Sequence, residues 1–337
     1  MTPPRLIDAR QLPVDLLAEA GALIRAGQLV AFPTETVYGL GANALDAAAV
    51  ARIYAAKGRP SYNPIILHVA EADAAVGLVT DWPDSAAILS RQCWPGPLTL
   101  VLPAASHIPA IVRAGLPSVG IRVPAHPVAL ALLRAADRPI AAPSANRFTE
   151  ISPTTAAHVL RGLGDRVPLI LDGGPTTVGI ESTVLDLTGD TPTVLRPGAY
   201  SADQLSALLG RPVHSAAGAA PAGEAPRASP GMVDRHYAPT GEVWLYTASE
   251  WEEVAAALAD RRARGVGGRI GAIWRTPREL PDVQACTLPD EPTGYAQQLY
   301  AALHALDAAG ATLLLIERAP DAPDWDGVRD RIERAAR

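Results

Sequence analysis

"RPVHSAAGAAPAGEAPRASPGMVDRHYAPT", residues 211–240, divides the chain into two parts that read differently. Small residues and prolines dominate the stretch and hydrophobic periodicity stops, which is the composition of a linker. Upstream, short apolar runs bounded by Pro, Gly, Ser or Asp mark strands: "QLVAFPT", "NPIILHVA", "PLTLVLP", "SVGIRVP", "RPIAAPS", "PLILDGG", "ESTVLDL" and "PTVLRPG". Helical spacing interrupts them at about 13–26, 47–56, 71–79, 84–92, 126–136, 154–161 and 202–209. Asp46 and the run "SADQ" at 201–204 read as helix caps. Strands irregularly mixed with helices imply an α+β or mixed-sheet domain over residues 1–210. Downstream, "EVWLY", "RIGAIW" and "ATLLLIE" alternate with helices at about 249–264, 295–309 and 326–336. That alternation predicts a small parallel α/β domain over residues 241–337. The linker is unusual in packing Met, Arg, His and Tyr into "SPGMVDRHYAP"; it either docks on a domain or carries function.

A chain that is 48% hydrophobic and 19% charged is globular. No apolar run reaches the length of a membrane span, and the N-terminus lacks the apolar core of a secretory signal. The two cysteines, Cys93 and Cys286, are far apart and make neither a disulfide framework nor a zinc site, so a cytoplasmic protein is expected. The formal charge of −6 is uneven. Residues 1–240 hold 19 acids and 18 bases, and residues 241–337 hold 16 acids and 11 bases. A broad nucleic-acid grip would call for a basic face, so tight generic RNA binding is not expected.

Lys57 is the single lysine among 29 basic residues. It ends a helix, and Pro60 turns the chain into an extended segment after Arg59. Two cations in such a turn can meet one anion, the ammonium as a point charge and the guanidinium as a planar fork. There is no G-x-x-x-x-G-K-[ST] loop. "GLGANA" at 39–44 fits G-x-G-x-x-A, but "PTETVY" separates it from the strand, so a tight turn is the better reading. Polar residues sit at other strand ends: Thr34, Glu35 and Thr36, then Ser144 and Asn146, Ser152, Ser182 and Thr183, and Arg196. Singly, each is a cap or turn residue. Together they describe loops converging on an anionic, hydroxyl-bearing ligand. The seven histidines show no metal-ligand spacing, and His68 reads equally as a core residue or a ligand contact. No G-x-S-x-G elbow supports a serine hydrolase.

The series "FPTETVYGLG", "KGRPSYNPIILHV", "PGPLTLVL", "GIRVP", "APSANRFTEISPT", "LDGGPTTVGIESTVLD", "LRPG" and "SPGMVDRHYAP" closely resembles the threonylcarbamoyl-AMP synthase family. It is similar to the long form, a YrdC-like domain followed by a linker and a small C-terminal domain. The resemblance implies a twisted mixed sheet, then a Rossmann-like parallel α/β domain. It implies a nucleotidyltransferase that converts L-threonine, bicarbonate and ATP, with Mg²⁺, to threonylcarbamoyl-adenylate and pyrophosphate. A partner complex would then modify the adenosine beside the anticodon of tRNA, which leaves room for a weak direct tRNA contact. The matching catalytic residues would be Lys57, Arg59, Ser144 and Asn146. Thr34, His68, Arg122 and Ser182 would hold threonine. Arg59, Asn63, Ser118, Ser144, Ser152 and Arg196 would contact ATP, with Tyr237 of the linker closing over the nucleotide; no magnesium ligand is implied. The chain departs from the pattern at Thr149, where family members commonly have glycine. A Cβ is penalised at positive φ, so this residue bears on the path from Asn146 to Ser152. Two alternatives are a non-catalytic RNA-binding module and a related carbamoyl-adenylate enzyme of hydrogenase maturation. The charge balance weighs against the first, and the lack of zinc-finger cysteines against the second.

Overall fold

The computed structural model describes residues 4–216, 236–265 and 267–337. Eleven strands form the first sheet. In chain order they are β1 (Arg5–Asp8), β2 (Val30–Phe32), β3 (Gly39–Asn43), β4 (Leu67–His68), β5 (Leu98–Pro103), β6 (Ser118–Arg122), β7 (Ile140–Ala141), β8 (Leu169–Asp172), β9 (Thr183–Asp186), β10 (Thr193–Arg196) and β11 (His214–Ser215). Their spatial order is β1-β8-β2-β3-β7-β4-β6-β5-β9-β10-β11, with parallel and antiparallel pairs interspersed. The mixed sheet matches the expectation. The second sheet is all parallel, ordered β12-β15-β13-β14, from β12 (Glu242–Tyr246), β13 (Arg269–Trp274), β14 (Val283–Thr287) and β15 (Ala311–Glu317). Among the described residues no helix is long and apolar enough to cross a membrane.

Local sequence explains the elements that carry the site. Asp46 accepts the amides of Ala48 and Ala49 at the start of the helix Ala47–Lys57, and Gly58, at φ 64°, ends it. Only glycine enters the left-handed region without strain, so the chain leaves the helix directly after Lys57. The reciprocal capping box expected at Ser201 and Gln204 is present.

Three readings change. The glycines of "GLGANA" are not a turn but part of β3. A Cβ on Gly41 would lie 2.8 Å from both the Phe32 ring and Ile140, so glycine is there for close packing. The strand β14 went unseen because "VQACT" has mostly exposed or half-buried positions at the sheet edge. The segment 211–240 is not linker from its start, since His214–Ser215 pair with β10. Residues 217–235, including "SPGMVDR", lie outside the described residues.

The two sheets share packing. Val37, Ile151, Ile180 and Tyr237 enter one apolar cluster with Leu299, Tyr300, Leu303, Val328 and Ile332 from helices of the second domain. Gly179, at φ 82°, allows this approach; a Cβ there would lie 2.4 Å from the Ala296 carbonyl oxygen.

Candidate active site

Strand ends and the loops beyond them wall a cavity of about 550 Å³, open mouth included. Its lining includes Thr34 and Thr36 after β2, His68 at the end of β4, Arg122 at the end of β6 and Ser144 after β7. Glu181 and Ser182 before β9, Arg196 at the end of β10, Arg59, His236 and Tyr237 also line it, among apolar neighbours such as Ile66 and Ala142.

The loop after β2 is wound around one hydroxyl. Thr34 Oγ1 donates to the Val37 carbonyl at 2.6 Å and accepts the backbone amides of Thr36 and Val37. Its proton being used there, Thr36 must be the donor in the 2.7 Å bond between the two hydroxyls. Arg122 Nη1 in turn donates to Thr36 Oγ1 at 2.9 Å, and its Nε donates to the Gly96 carbonyl at 3.1 Å. Its Nη2 lies 2.6 Å from Glu35 Oε1, a buried ion pair. The guanidinium has five N–H groups, so these neighbours leave donors for a ligand. Elsewhere in the lining Arg196 donates to the Ser182 carbonyl at 2.9 Å and to Ser182 Oγ at 3.1 Å, while Ser182 Oγ also bonds Thr99 at 2.8 Å.

Lys57 reaches this cavity through the Ser144–Asn146 loop and is not itself part of the lining. The ammonium donates to the carbonyls of Ser144, at 2.6 Å, and Asn146, and to Asn146 Oδ1 at 3.3 Å. Burial pulls its pKa well below the ordinary lysine value, and the charge of Arg59 adds to that. Of the two cations expected to meet one anion, Arg59 faces the cavity, and Lys57 holds the loop that faces it. Arg59 donates to the Pro64 carbonyl at 3.0 Å, and no ion pair holds it among the described residues. Burial lowers its pKa to about 10, still charged at neutral pH.

Other expected residues are placed differently. Asn146 sends its amide to the carbonyls of Arg147 and Glu150, shaping the loop. Ser152 is buried and donates to Glu181 at 2.5 Å, so it meets the cavity wall from behind. Asn63 is fully buried with both amide atoms unpartnered. Ser118 opens β6, and at about 3.3 Å per residue it stands roughly 13 Å from Arg122; the structure does not bring it into the cavity. His68 is held neutral, at about 3, first by burial and then by the Arg122 charge. An uncharged imidazole with an unpartnered Nδ1 is left to meet a ligand. Of the two readings of His68, this position favours the ligand contact.

Thr149 has φ 71°, so the loop keeps its left-handed turn in spite of the side chain. Its carbonyl accepts Ala238 N at 3.0 Å, and Phe148 packs edge-on against His236. The end of the linker, residues 236–238, is thus docked on this loop, which places Tyr237 on the cavity. A left-handed residue with a Cβ costs about 1–2 kcal/mol, and glycine returns about 0.4–1 kcal/mol of that as unfolded-chain entropy. Thr149→Gly should therefore stabilise the protein by about 0.5 kcal/mol, read as a higher denaturant midpoint with unchanged slope.

Glu181 was missed within the quoted "GIESTV"; an acid inside an apolar strand approach was the available signal. Burial by itself would raise its carboxyl, but Arg331, Arg196 and the Ser152 hydroxyl outweigh that and hold it at about 2. With the folded value below the ordinary 4.5, its contribution to stability is full above that value and fades as pH falls toward 2. Thr36, grouped with Thr34 by the strand-end pattern, and His236, which was not singled out, also line the site, and Glu35 is paired to its Arg122.

Such a cavity, ringed by guanidiniums and hydroxyls at the strand ends of a two-domain α/β protein, is built to receive small anionic ligands. The family model described as telomere recombination, Sua5_yciO_yrdC, matches residues 22–198, and that of the threonylcarbamoyl-AMP synthase C-terminal domain matches residues 200–337. A threonylcarbamoyl-AMP synthase of Pyrococcus abyssi is 40% identical over 320 residues, 94% of this chain and 93% of the relative. One of Bacillus subtilis is 41% identical over 325 residues, 95% and 92% of the two chains. The crystal structure of P. abyssi Sua5 complexed with L-threonine superposes with a TM-score of 0.90 at 38% identity, covering 98% of this chain and 97% of that one. The chain belongs to the threonylcarbamoyl-AMP synthase family, and is an enzyme of the nucleotidyltransferase type.

Proposed function

We propose that the protein condenses L-threonine, bicarbonate and ATP into threonylcarbamoyl-adenylate with release of pyrophosphate, supplying the modification of adenosine beside the anticodon of tRNA. The observation that carries this reading is the convergence of Thr34, Arg59, His68, Arg122, Ser144, Ser182, Arg196 and Tyr237, scattered over the sequence, on one cavity. The threonine complex of the P. abyssi relative supports the amino-acid half.

The chemistry makes two demands. The threonine amine and bicarbonate give a carbamate with loss of water, and the carbamate is a weak and short-lived nucleophile. Its oxygen attacks the α-phosphorus of ATP, the bond to the bridging oxygen breaks, and pyrophosphate leaves with the electron pair. Positioning and charge neutralisation supply most of the acceleration in such a transfer. Arg122 takes the threonine carboxylate, while Thr34, neutral His68 and Ser182 orient the hydroxyl and amine. Arg59 and Arg196 face the triphosphate, and Ser144, held by Lys57 and Asn146, clamps it. Tyr237 covers the nucleotide and keeps water from the carbamate. Among the described residues no group of three or more His, Cys, Asp or Glu could hold a metal. Mg²⁺ would enter with the triphosphate, bound through phosphates and water. The product passes to a separate transferase complex for tRNA.

The test is pyrophosphate release by the purified protein. It is expected only when threonine, bicarbonate and Mg·ATP are all present; release that ignores threonine, or none at all, overturns the reading. Serine lacks one methyl group, which a pocket discriminates by about 1–3 kcal/mol. Serine is therefore expected to compete about 10–200-fold more weakly.

A further inference from the structure

One residue of the second domain reaches three separate segments that wall the cavity. Arg331, on the final helix Asp326–Ala335, has a fully buried side chain. Its Nε donates to Glu181 Oε2 at 2.8 Å and its Nη2 to the Glu181 carbonyl at 3.4 Å. Its Nη1 donates to the carbonyl of Pro197, the neighbour of Arg196, at 3.0 Å, and to Asp330. The face of the same guanidinium lies 5.2 Å from the Tyr237 ring. Tyr300, also of the second domain, donates to Glu181 Oε2 at 3.0 Å and packs its ring 5.7 Å from Tyr237.

The arrangement is directional. Glu181 takes Ser152 on one oxygen and Arg331 with Tyr300 on the other, so its carboxylate is fixed from both domains. Two of the segments gripped by Arg331 carry residues assigned above to the nucleotide end, Arg196 beside Pro197 and Tyr237 under the guanidinium, while Glu181 links Arg331 to Ser152 and is followed by Ser182 of the threonine end. Arg122, the partner assigned to the threonine carboxylate, depends on other bonds, those with Thr36 and Glu35 and, through Thr36, with Thr34. We propose that Arg331 is a positioning residue for the nucleotide subsite, acting through Glu181 and Tyr237, so that the C-terminal domain braces the active-site wall from behind. This rests on the functional reading above for which end of the cavity holds the nucleotide.

Calorimetric binding of Mg·ATP and of L-threonine, each measured alone on full-length protein, tests it. Arg331→Met is expected to weaken Mg·ATP at least tenfold and L-threonine less than threefold. Arg331→Lys, which keeps the charge but loses the fork, should fall between wild type and Arg331→Met for ATP. Tyr300→Phe, which removes one bond to Glu181, should weaken ATP about threefold. These two milder variants carry the test if Arg331→Met does not fold. Unchanged ATP affinity in folded variants, or equal weakening of both ligands, would reduce Arg331 to a structural tether and overturn the proposal. Failure of the reaction itself is read separately, from wild-type pyrophosphate release.

Discussion

Lys57→Met should lose about 100- to 1000-fold in kcat/KM for pyrophosphate release, measured on protein that still unfolds cooperatively but at a lower thermal midpoint. The ammonium places three N–H donors on oxygens of Ser144 and Asn146 that converge on it. Methionine matches the stem and leaves those oxygens without a partner, at about 1–3 kcal/mol for each buried acceptor. Removing a charge that burial already disfavours offsets part of that. The fold therefore survives, but Ser144 no longer stands where the triphosphate needs it. A misplacement of an ångström costs about 100-fold in a reaction driven by positioning, and loss of a stabilising donor costs a similar factor. Lys57→Arg should not rescue, because a planar fork cannot aim three donors at one converging set of oxygens. This is a physical reason for one lysine in a chain whose other 28 basic residues are arginine. Retention of more than a tenth of the wild-type kcat/KM in Lys57→Met would refute it.

What the sequence disclosed follows from the range of the interactions involved. Helix ends were legible because caps are local: Asp46 and the Ser201–Gln204 box bond within three residues. The polar residues at strand ends were legible because an apolar run that stops at Ser144 or Ser182 leaves the next side chain facing a loop. Lys57 was singled out by rarity, but the loop oxygens that its ammonium holds were not legible. Its partners lie 87 and 89 residues away, and nothing in the spacing betrays them. The same distance problem hid Arg331, whose partner Glu181 is 150 residues upstream. The glycines of β3 were misread for a related reason. A residue kept small by the Phe32 ring looks, in one dimension, like a residue kept small by a turn. Ser118 shows the converse limit: a motif match fixes a residue to a strand but does not say which end of the strand meets the cavity.

Arg122→Met should be the most disruptive single change at the threonine end, and a second substitution separates its two effects. Glu35 is 6% exposed, neither carboxylate oxygen has a hydrogen bond, and its compensation is the Arg122 guanidinium at 2.6 Å. Removing one partner of a buried ion pair typically costs about 3–5 kcal/mol because the other charge stays buried. That is a large share of the stability of an ordinary domain, so Arg122→Met should express poorly or unfold several degrees early. Glu35→Gln/Arg122→Met removes both charges, and such replacements are often close to neutral for stability. Its unfolding midpoint should return most of the way to wild type. Its KM for L-threonine should not, since the amino-acid carboxylate would still lack its cation. A lost charge-assisted contact of about 3 kcal/mol corresponds to a rise in KM of about 100-fold. KM for ATP should move far less, because Arg59 and Arg196 are untouched. If the double variant regained both its midpoint and its wild-type KM for threonine, Arg122 would be a partner for Glu35 alone, and the threonine carboxylate would have to be held elsewhere in the cavity.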